Sequence, residues 1–514
     1  MMPVQQKTGT VSLAYLLDGW VDIQPALWVA KPTVDARQVE LDGVFMAVAG
    51  AQSHGLEHAE QAIERAAAVI VYDPAAGGDL LALDLKKQSD IPLIALTCLS
   101  EKLSEIAARF YAHPSRQLSV IGVTGTNGKT SVSHFIAQAL NVDSHCGVVG
   151  TLGWGEVGFL QPTINTTPDA MSVQAQMATL LRQGCSTLAM EVSSHGLDQH
   201  RVKAVEFSAA VFTNLSHDHL DYHQTMAAYG DAKLALFKAA SLKFVVLNED
   251  DPFSETIAAV LLPRVLRYGF TRHAGRVTSH TVLIDNQRLS ERGVSFDIRY
   301  KGKKASVVSP LFGVFNVDNL AATVATLMAM GESLASASEK LQAVSSVAGR
   351  MQLLTGSAEQ PSVIVDYAHT PDALKLALSS LRQHCKGQLK LLFGCGGDRD
   401  QAKRPLMGEI ASQMADQLVI TNDNPRFESA TLIAEQIKAG VQEPANLTIE
   451  LDRAKAIETL IAHSNADDII LVAGKGHEDY QHIAGKKTPF SDAQQVLRAL
   501  TLRNKTVAKG RAPS

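Results

Sequence analysis

The residues best suited to chemistry form a glycine-rich loop at residues 122–131, GVTGTNGKTS. The loop follows an apolar stretch from Leu118 to Val123 and precedes apolar side chains at helical spacing. In such a strand–loop–helix unit, backbone N–H groups and the positive end of the helix dipole face a bound phosphate. Lys129 can reach the β- and γ-phosphates, and the Thr130 hydroxyl can ligate Mg²⁺. Val123 stands where the strict pattern has its first glycine, so a glycine turn with an incidental lysine is the alternative.

Acidic and histidine side chains follow two further apolar stretches. Glu191 ends the stretch that begins at Leu188, and the ends of strands are where α/β sheets bind ligands, so Glu191 is a candidate for holding Mg²⁺. The alternative is a helix-capping or ion-paired glutamate. Residues 217–223, HDHLDYH, contain three histidines and two aspartates, but their spacing matches no standard zinc site. We therefore expect one histidine beside a phosphate-bound Mg²⁺ and keep zinc as the weaker interpretation.

Lys233 lies on the apolar face of a helix predicted from Tyr229 to Lys238. Burial of an ammonium is costly, so it favours the neutral amine. A neutral amine can take up CO₂ as a carbamate, which would convert a cation into an anion suited to Mg²⁺. The alternative is a lysine whose side chain extends to water. The sequence leaves both possibilities open.

Three charged loops lie in the last third of the chain, at residues 394–400 (GCGGDRD), 422–426 (NDNPR) and 474–479 (GKGHED). Asp423 and Arg426 stand on a loop stiffened by proline, so they can receive an ammonium and a carboxylate together. Those two groups form the zwitterionic end of an amino acid. Each loop alone could be a charged surface turn. Because each follows a predicted strand, the three together favour one amino-acid cleft.

The composition limits the class of protein. The 514 residues are 46% hydrophobic and 19% charged, with a net charge of −5, which indicates a globular chain of about three domains and excludes wholesale disorder. The near-neutral charge argues against general nucleic-acid binding. No apolar run reaches the ~18 residues of a membrane helix, no export signal is visible, and the five cysteines are scattered. We expect a cytoplasmic protein that acts on small molecules, without nucleic-acid or membrane partners.

Short apolar strands alternate with helical stretches along most of the chain, which is the pattern of parallel α/β sheets. The predicted strands lie at residues 44–48, 68–71, 118–123, 188–192, 209–212, 244–247, 363–365, 389–393, 417–420 and 469–472. Between residues 276 and 312 the apolar period drops to two, which predicts an antiparallel insert. We therefore predict an α/β fold of three domains, at residues 1–113, 114–347 and 348–514.

Together these stretches resemble the Mur ligases, the ATP-dependent amide-bond-forming enzymes of peptidoglycan assembly. The resemblance extends over nearly the whole chain and implies an N-terminal UDP-binding domain, a central P-loop-type parallel-sheet ATPase and a C-terminal Rossmann-like domain that binds the amino acid. Residues 423–426 (DNPR) are similar to the loop of the family members that add meso-diaminopimelate. The lysine-adding members differ there. The resemblance is carried by residues 125–131, 165–168, 190–200, 213–223, 231–233, 313–319, 349–351, 366–371 and the three charged loops.

The resemblance also implies a role for individual residues. ATP would be bound by Gly125, Thr126, Asn127, Gly128, Lys129, Thr130, Ser131, Asn319, Arg350 and Asp366. The catalytic residues would be Lys129, Glu191, His219 and Lys233, and Mg²⁺ would be held by Thr130, Glu191, His219 and the carbamate of Lys233. The UDP-MurNAc-dipeptide would be bound by Val34, Ala36, Ala51, Gln52, Ser53, Asn165, Thr166, Thr167, Ser193, Gln199 and Arg201. Diaminopimelate would be bound by Arg399, Asp423, Asn424, Pro425, Arg426, Gly474 and Glu478. Ala36 stands where relatives carry a serine, so that hydroxyl is absent from the uridine pocket.

The implied function is a cytoplasmic, monomeric ligase. It would join meso-diaminopimelate to the D-Glu of UDP-MurNAc-L-Ala-D-Glu through an acyl phosphate, with ATP and Mg²⁺. A folylpolyglutamate synthase-like ligase is the nearest rival, because it shares the phosphate loop and the carbamate, but the loop at residues 423–426 argues against it. A nucleotide-dependent switch and a catalytically inert scaffold are further alternatives, and the predicted metal site and amino-acid cleft argue against both.

Overall fold

The structure is a computed structural model that describes residues 9–23, 27–50, 53–355, 359–442 and 446–510, with side chains to residue 504. It forms two compact units, Met1–Gly269 and Phe270–Ser514. The division falls within the strand Leu266–Thr271. The three domain boundaries expected from the sequence stay a prediction.

A four-stranded parallel sheet lies nearest the N-terminus of the first unit. Its strands, in spatial order, are Pro32–Thr33, Val44–Ala47, Val69–Tyr72 and Leu93–Ala95. Its two central strands are buried along their whole length, which matches their unbroken apolar sequences VFMA and VIVY. The neighbouring elements are Val11–Ser12 paired with Trp28–Val29 and the helices Leu13–Leu16, Ala59–Glu64, Gly78–Leu85 and Leu99–Phe110.

The second sheet of the first unit carries the glycine loop. Next to Leu266–Thr271, and in spatial order, this sheet contains Phe244–Asn248, Phe207–Phe212, Ser119–Thr124, Thr187–Glu191, Cys146–Gly150 and Gly153–Glu156; these six strands are parallel except for the last. Its helices are Lys129–Leu140, Ala170–Arg182, Ser194–Asp198, Leu220–His223, Met226–Phe237 and Phe253–Val260. Glu191 pairs with Val123 and Phe212 pairs with Thr124. The loops that follow these three strands therefore leave from the same edge of the sheet.

The second unit begins with an antiparallel group of strands, Thr281–Ser290, Gly293–Tyr300 and Lys303–Ser309, followed by the helices Phe315–Ala329 and Leu334–Lys340. A six-stranded sheet follows, in the spatial order Gln352–Leu354, Ser362–Asp366, Ile469–Ala473, Leu389–Phe393, Gln417–Ile420 and Leu447–Ile449, parallel except for its first strand. Its helices are Pro371–Arg382, Lys403–Met414, Ala430–Lys438, Arg453–Ala462 and Asp492–Gly510, and Tyr480–Ile483 forms a hairpin with Lys486–Pro489.

The predicted α/β class and the predicted antiparallel insert are confirmed. Each predicted strand is present, with bounds that differ by at most two residues. Within the described residues, no helix combines the length and the apolar character that a membrane crossing demands.

Candidate active site

The glycine loop joins the strand Ser119–Thr124 to the helix Lys129–Leu140. Gly125 has a φ of +149°, and a Cβ there would lie 1.9 Å from the Thr213 hydroxyl, so only glycine fits. Lys129 Nζ donates hydrogen bonds to the carbonyl oxygens of Gly125 and Thr126, at 2.9 and 2.8 Å. A lysine held over a tight loop at a helix N-terminus favours a phosphate cradle over an incidental glycine turn.

Glu191 connects this loop to the neighbouring strand. It is fully buried, and its Oε2 accepts hydrogen bonds from the hydroxyls of Thr130, at 2.9 Å, and Thr151, at 3.1 Å. Its Oε1 accepts one from the Thr151 backbone N–H at 2.7 Å. The carboxylate therefore neither caps a helix nor forms an ion pair with these partners; it orients the hydroxyl that the sequence assigns to Mg²⁺.

These donors suit Mg²⁺ better than zinc. In the described ranges, no group of three or more His, Cys, Asp or Glu side chains could hold a metal ion. Mg²⁺ commonly takes one or two protein oxygens and obtains its remaining ligands from phosphates and water. Glu191 and Thr130 fit that requirement, and the zinc interpretation of residues 217–223 has no structural support.

Lys233 is buried in the helix Met226–Phe237, with 1% of its surface exposed, so the alternative of a side chain that extends to water is wrong. Its Nζ donates to the Gly125 carbonyl oxygen at 3.0 Å, so Lys129 and Lys233 share one acceptor. Burial, with a smaller contribution from the Lys129 charge, lowers the pKa of Lys233 to about 6. Near pH 7.5 the amine is therefore mostly neutral, which is the form that reacts with CO₂.

His219 belongs to a cluster of rings rather than to the Glu191 network. Its ring centroid lies 4.9 Å from that of His195 and 6.0 Å from that of Tyr229, whose ring in turn lies 4.3 Å from Lys233 Nζ. Among the described contacts, none joins His219 to Glu191 or Lys233 directly. The structure thus brings His219 near the predicted metal residues through Tyr229. Tyr222 and His223 complete the cluster.

Several residues assigned to the UDP-MurNAc-dipeptide lie together beside Glu191. The Thr167 hydroxyl donates to the Glu191 carbonyl oxygen at 3.0 Å and accepts from the Ser193 N–H at 2.9 Å. Arg201 donates to the Thr167 carbonyl oxygen at 2.7 Å and, through Nε, to Gln199 Oε1 at 3.1 Å. Burial lowers the pKa of the Arg201 guanidinium. These hydrogen bonds connect Arg201, through Thr167, to the backbone of Glu191.

The other assigned residues are more dispersed. The Thr166 hydroxyl bonds to that of Thr151 at 3.0 Å, and Asn165 is exposed. Ala36 is buried at the start of the 3₁₀ helix Ala36–Gln38. Val34 and Ser53 lie near the four-stranded sheet, and Ala51 and Gln52 lie outside the described residues.

In the second unit, the residues assigned to ATP lie on different elements: Arg350 precedes the strand Gln352–Leu354, Asp366 ends the strand Ser362–Asp366, and Asn319 lies in a helix. Asp366 Oδ2 accepts from the Met351 N–H at 2.7 Å, and burial raises the pKa of its carboxyl group. The Arg350 guanidinium lies 4.9 Å from the Tyr367 ring centroid, and its buried Nε has no hydrogen-bond partner among the described residues. Such an orphaned donor is the kind of group that a bound anion would satisfy. Asn319 is buried in the helix Phe315–Ala329.

Backbone contacts join this region to the charged loop at residues 474–479. The Gly474 N–H donates to the Asp366 carbonyl oxygen at 3.1 Å. Gly349 has a φ of +64°, and a Cβ there would lie 2.1 Å from the His477 nitrogen. The segment that carries Arg350 therefore packs directly, backbone to backbone, against that loop.

The three charged loops come together at the carboxyl ends of their strands. Asn424 Nδ2 donates to Glu478 Oε2 at 2.8 Å. A Cβ on Gly474 would lie 2.6 Å from Asp423 Oδ2, and one on Gly396 would lie 3.3 Å from Arg426 Nη1. The same Gly396 position lies 3.8 Å from Cγ of Arg399, and Pro425 fixes the turn before Arg426. The predicted amino-acid cleft is thus a single cluster.

Comparison with known proteins identifies the chain's relatives. The Mur ligase middle domain matches residues 123–327, and the Mur ligase glutamate ligase domain matches residues 349–476. The UDP-N-acetylmuramoyl-L-alanyl-D-glutamate–2,6-diaminopimelate ligase of Pseudomonas aeruginosa is 44% identical over 92% of this chain and 95% of its own. The chain belongs to the Mur ligase family. It is therefore an ATP-dependent, ADP-forming ligase, and the resemblance noted in the sequence is confirmed.

Two further relatives of this Mur ligase cover nearly its whole length. The enzyme of the same name from Alkalilimnicola ehrlichii is 43% identical over 95% of this chain and 98% of its own. A solved structure of a UDP-N-acetylmuramoyl-L-alanyl-D-glutamate–2,6-diaminopimelate ligase superposes with a TM-score of 0.69 and is 31% identical. It covers 96% of this chain and 99% of that one.

The sequence did not single out several residues that organise this Mur ligase. Lys475 is fully buried and donates to Asn424 Oδ1 at 3.1 Å and to Glu478 Oε2 at 3.0 Å. Arg453 forms a buried pair with Asp492 and also donates to the Ala473 carbonyl oxygen at 2.9 Å. Lys475 lies between Gly474 and Glu478, both assigned to diaminopimelate, and that position could have identified it as part of the site. No local pattern points to the pairing of Arg453 with a residue 39 positions away.

Proposed function

We propose that this Mur ligase adds meso-2,6-diaminopimelate to the D-Glu of UDP-MurNAc-L-Ala-D-Glu in peptidoglycan precursor synthesis, with ATP as the second substrate. The observation that carries the proposal is the state of Asp423. Its side chain is nearly buried, and burial raises the pKa of its carboxyl group. Among the residues that the structure describes, none donates a hydrogen bond to this carboxylate. It is therefore ready to receive an ammonium, with Arg399 and Arg426 nearby for a carboxylate.

The chemistry follows from charge. The D-Glu carboxylate oxygen attacks the γ-phosphorus and ADP leaves, which forms an acyl phosphate; the amine of diaminopimelate then attacks the acyl carbon and phosphate leaves. The first step brings two anions together, so cations must screen both. Lys129 and the loop N–H groups serve the phosphates, and Arg201, which donates to the Thr167 carbonyl oxygen, is the cation that we propose for the D-Glu carboxylate. Mg²⁺, when held by Thr130 and Glu191, would supply additional charge stabilisation.

We also propose a carbamate on Lys233. The neutral amine nitrogen bonds to the carbon of CO₂ and releases its proton to water, which leaves an anion beside the loop. This change would place a negative charge beside the Lys129 ammonium, which shares the Gly125 carbonyl oxygen with Lys233. We expect ¹³C NMR with ¹³C-labelled bicarbonate to give a carbamate signal that Lys233→Ala removes. The same variant should lose activity on the order of 10²-fold, and acetate should partly restore it. A wild-type enzyme without this signal would contradict the carbamate.

The substrate assignment is tested by phosphate release from ATP and Mg²⁺ with UDP-MurNAc-L-Ala-D-Glu, in the presence of meso-diaminopimelate, L-lysine or no amino acid. Release that requires diaminopimelate and is weak with lysine is the expected result. Release with lysine instead would keep the family and overturn the role given to residues 423–426. Dependence on neither amino acid would favour a folate-type ligase or a switch.

We propose that the enzyme is a monomer and that it works in the cytoplasm. The five cysteines are unpaired, as is usual in a reducing compartment. Sedimentation equilibrium across a range of protein concentrations should give a single mass near 55.1 kDa. A mass that rises with concentration would contradict the monomer.

A further inference from the structure

We propose that Lys475 sets the amino-acid specificity of the C-terminal site. Its buried ammonium holds Asn424 and Glu478 in place and gives the site a charge that favours a substrate with a second carboxylate over one with an uncompensated second ammonium. This inference rests on the proposed function. Lys475 is a positioning residue, because it acts through the two side chains that it contacts.

The geometry leaves Lys475 little freedom. Its side chain is fully buried, and Nζ lies 3.1 Å from Asn424 Oδ1 and 3.0 Å from Glu478 Oε2. Asn424 closes the triangle, because its Nδ2 donates to the same Glu478 oxygen at 2.8 Å. The His482 N–H also donates to Asn424 Oδ1, at 3.0 Å, which fixes the orientation of the amide.

This arrangement presents one oxygen of Glu478 to a ligand. Both donors of the triangle bond to Oε2, and no described residue donates to Oε1. The Glu478 side chain is 22% exposed, whereas that of Lys475 is fully buried. A ligand therefore meets the carboxylate first and the ammonium behind it. Without Lys475, Glu478 would lose one of its two anchors and the only cation paired with it in the described part of the chain.

The charges of the site favour diaminopimelate over L-lysine. Lys475 and Asn424 surround one carboxylate, while Asp423 remains without a donor. Diaminopimelate carries two ammonium and two carboxylate groups and is neutral overall, whereas L-lysine lacks the second carboxylate and carries a net positive charge. An ammonium fixed a few ångströms away disfavours the extra positive charge of lysine in a poorly solvated site. The same ammonium is compatible with the second carboxylate of diaminopimelate.

The test compares Lys475→Gln, Lys475→Arg and the wild type. The glutamine variant keeps N–H donors for Asn424 and Glu478 and removes the charge, whereas the arginine variant keeps the charge. The readout is the ratio of kcat/KM for meso-diaminopimelate to kcat/KM for L-lysine, with the KM for ATP and the thermal unfolding midpoint as checks of integrity. Lys487→Gln is the matched control, because both lysines lie against the Tyr480 ring: Nζ of the buried Lys475 is 5.5 Å from its centroid, and Nζ of the exposed Lys487 is 4.4 Å away.

We expect Lys475→Gln to lower the specificity ratio about tenfold or more, with the KM for ATP unchanged. Lys475→Arg should keep the ratio within about threefold of the wild type, and Lys487→Gln should leave it unchanged. A folded glutamine variant with the wild-type ratio would overturn the inference. A folded arginine variant that loses the preference would also overturn it, which keeps the test decisive if the glutamine variant does not fold. A wild-type enzyme that shows no preference for diaminopimelate would instead contradict the proposed function.

Discussion

The phosphate loop and the amino-acid loops differ in the groups that their lysine and arginine side chains contact. At the phosphate loop, Lys129 and Lys233 donate to the same carbonyl oxygen, and burial together with the Lys129 charge keeps the Lys233 amine mostly neutral. At the amino-acid loops, buried cations are already matched by carboxylates, as in Lys475 with Glu478 and Arg453 with Asp492. The first site depends on anions brought by its ligands. The second is assembled by the protein itself, and Asp423 is the carboxylate that we propose for the substrate ammonium.

This difference predicts where substitutions act. Removing a charge from the phosphate loop should chiefly reduce the rate, because the folded chain does not depend on that charge. Removing one from the amino-acid loops should chiefly reduce stability, because a buried partner is then left uncompensated.

The largest expected effect is that of Lys129→Ala. We expect kcat/KM for ATP to fall on the order of 10⁴-fold, because the variant lacks a cation that stabilises charge on the transferred phosphoryl group. The thermal unfolding midpoint should change little. Lys238→Ala, which removes an exposed lysine of the same unit, is the control. A loss of less than tenfold would place Lys129 outside the chemistry.

Asp492→Asn should reduce the stability of the fold, in contrast to Lys129→Ala, which should reduce the rate. It leaves the fully buried Arg453 without its ionised partner, and we expect a loss of about 3–5 kcal/mol in the free energy of unfolding by urea. The KM for the amino acid should also rise, because Arg453 holds the Ala473 carbonyl oxygen just before Gly474. Asp84→Asn removes an exposed ion pair with Lys87 and should leave stability unchanged. Equal effects of the two substitutions would refute the contrast between the regions.

A pH titration of stability tests the phosphate-loop helix. Burial lowers the pKa of His134 to about 4, whereas an unfolded chain titrates near 6.5. Below pH 6.5 the unfolded state therefore binds a proton at this histidine that the native state does not bind. The free energy of unfolding consequently falls as the pH drops toward 4. The full loss in the free energy of unfolding from this histidine is about 3 kcal/mol. His134→Gln should remove this part of the pH dependence in urea unfolding measured from pH 7.5 to 4.5. An unchanged slope would show that His134 is not responsible.

The smallest expected effect lies outside both regions, at Ala36. Ala36→Ser would add a hydroxyl at the start of the 3₁₀ helix Ala36–Gln38. If uridine lies there, we expect the KM for the UDP substrate to fall about fivefold, the size of one neutral hydrogen bond. The KM for ATP serves as the internal reference and should stay constant. A change in neither KM would place the nucleotide away from this turn.

Sequence reasoning succeeded where function depends on consecutive residues. The glycine loop, its lysine and the following helix are fixed by local geometry, so their spacing alone indicated the phosphate cradle. The spacing of its apolar neighbours placed Lys233 on an apolar helix face, but only the structure decided between burial and extension to water. The parallel sheets followed from alternating apolar segments, although their ends shifted by up to two residues.

The remaining features depend on contacts between separate loops. The sequence indicated that residues 394–400, 422–426 and 474–479 share one sheet edge, but not which side chains would pair. The triangle around Lys475 depends on the register of three strands and on a hairpin that supplies the His482 N–H. Likewise, His219 could be chosen from its motif, but its neighbourhood in a cluster of rings required the three-dimensional arrangement.

We expect the close approach of Gly349 to the His477 backbone to link the proposed nucleotide and amino-acid sites of the second unit thermodynamically. Arg350 follows Gly349 directly, and Glu478 follows His477, so neither segment can shift without displacing the other. If nucleotide binding moves Arg350, the affinity for the amino acid must change by some factor, and reciprocity requires the amino acid to change the nucleotide affinity by that same factor. The missing side chain at position 349 lets the two backbones approach each other, and the expected coupling between the two substrates depends on that approach.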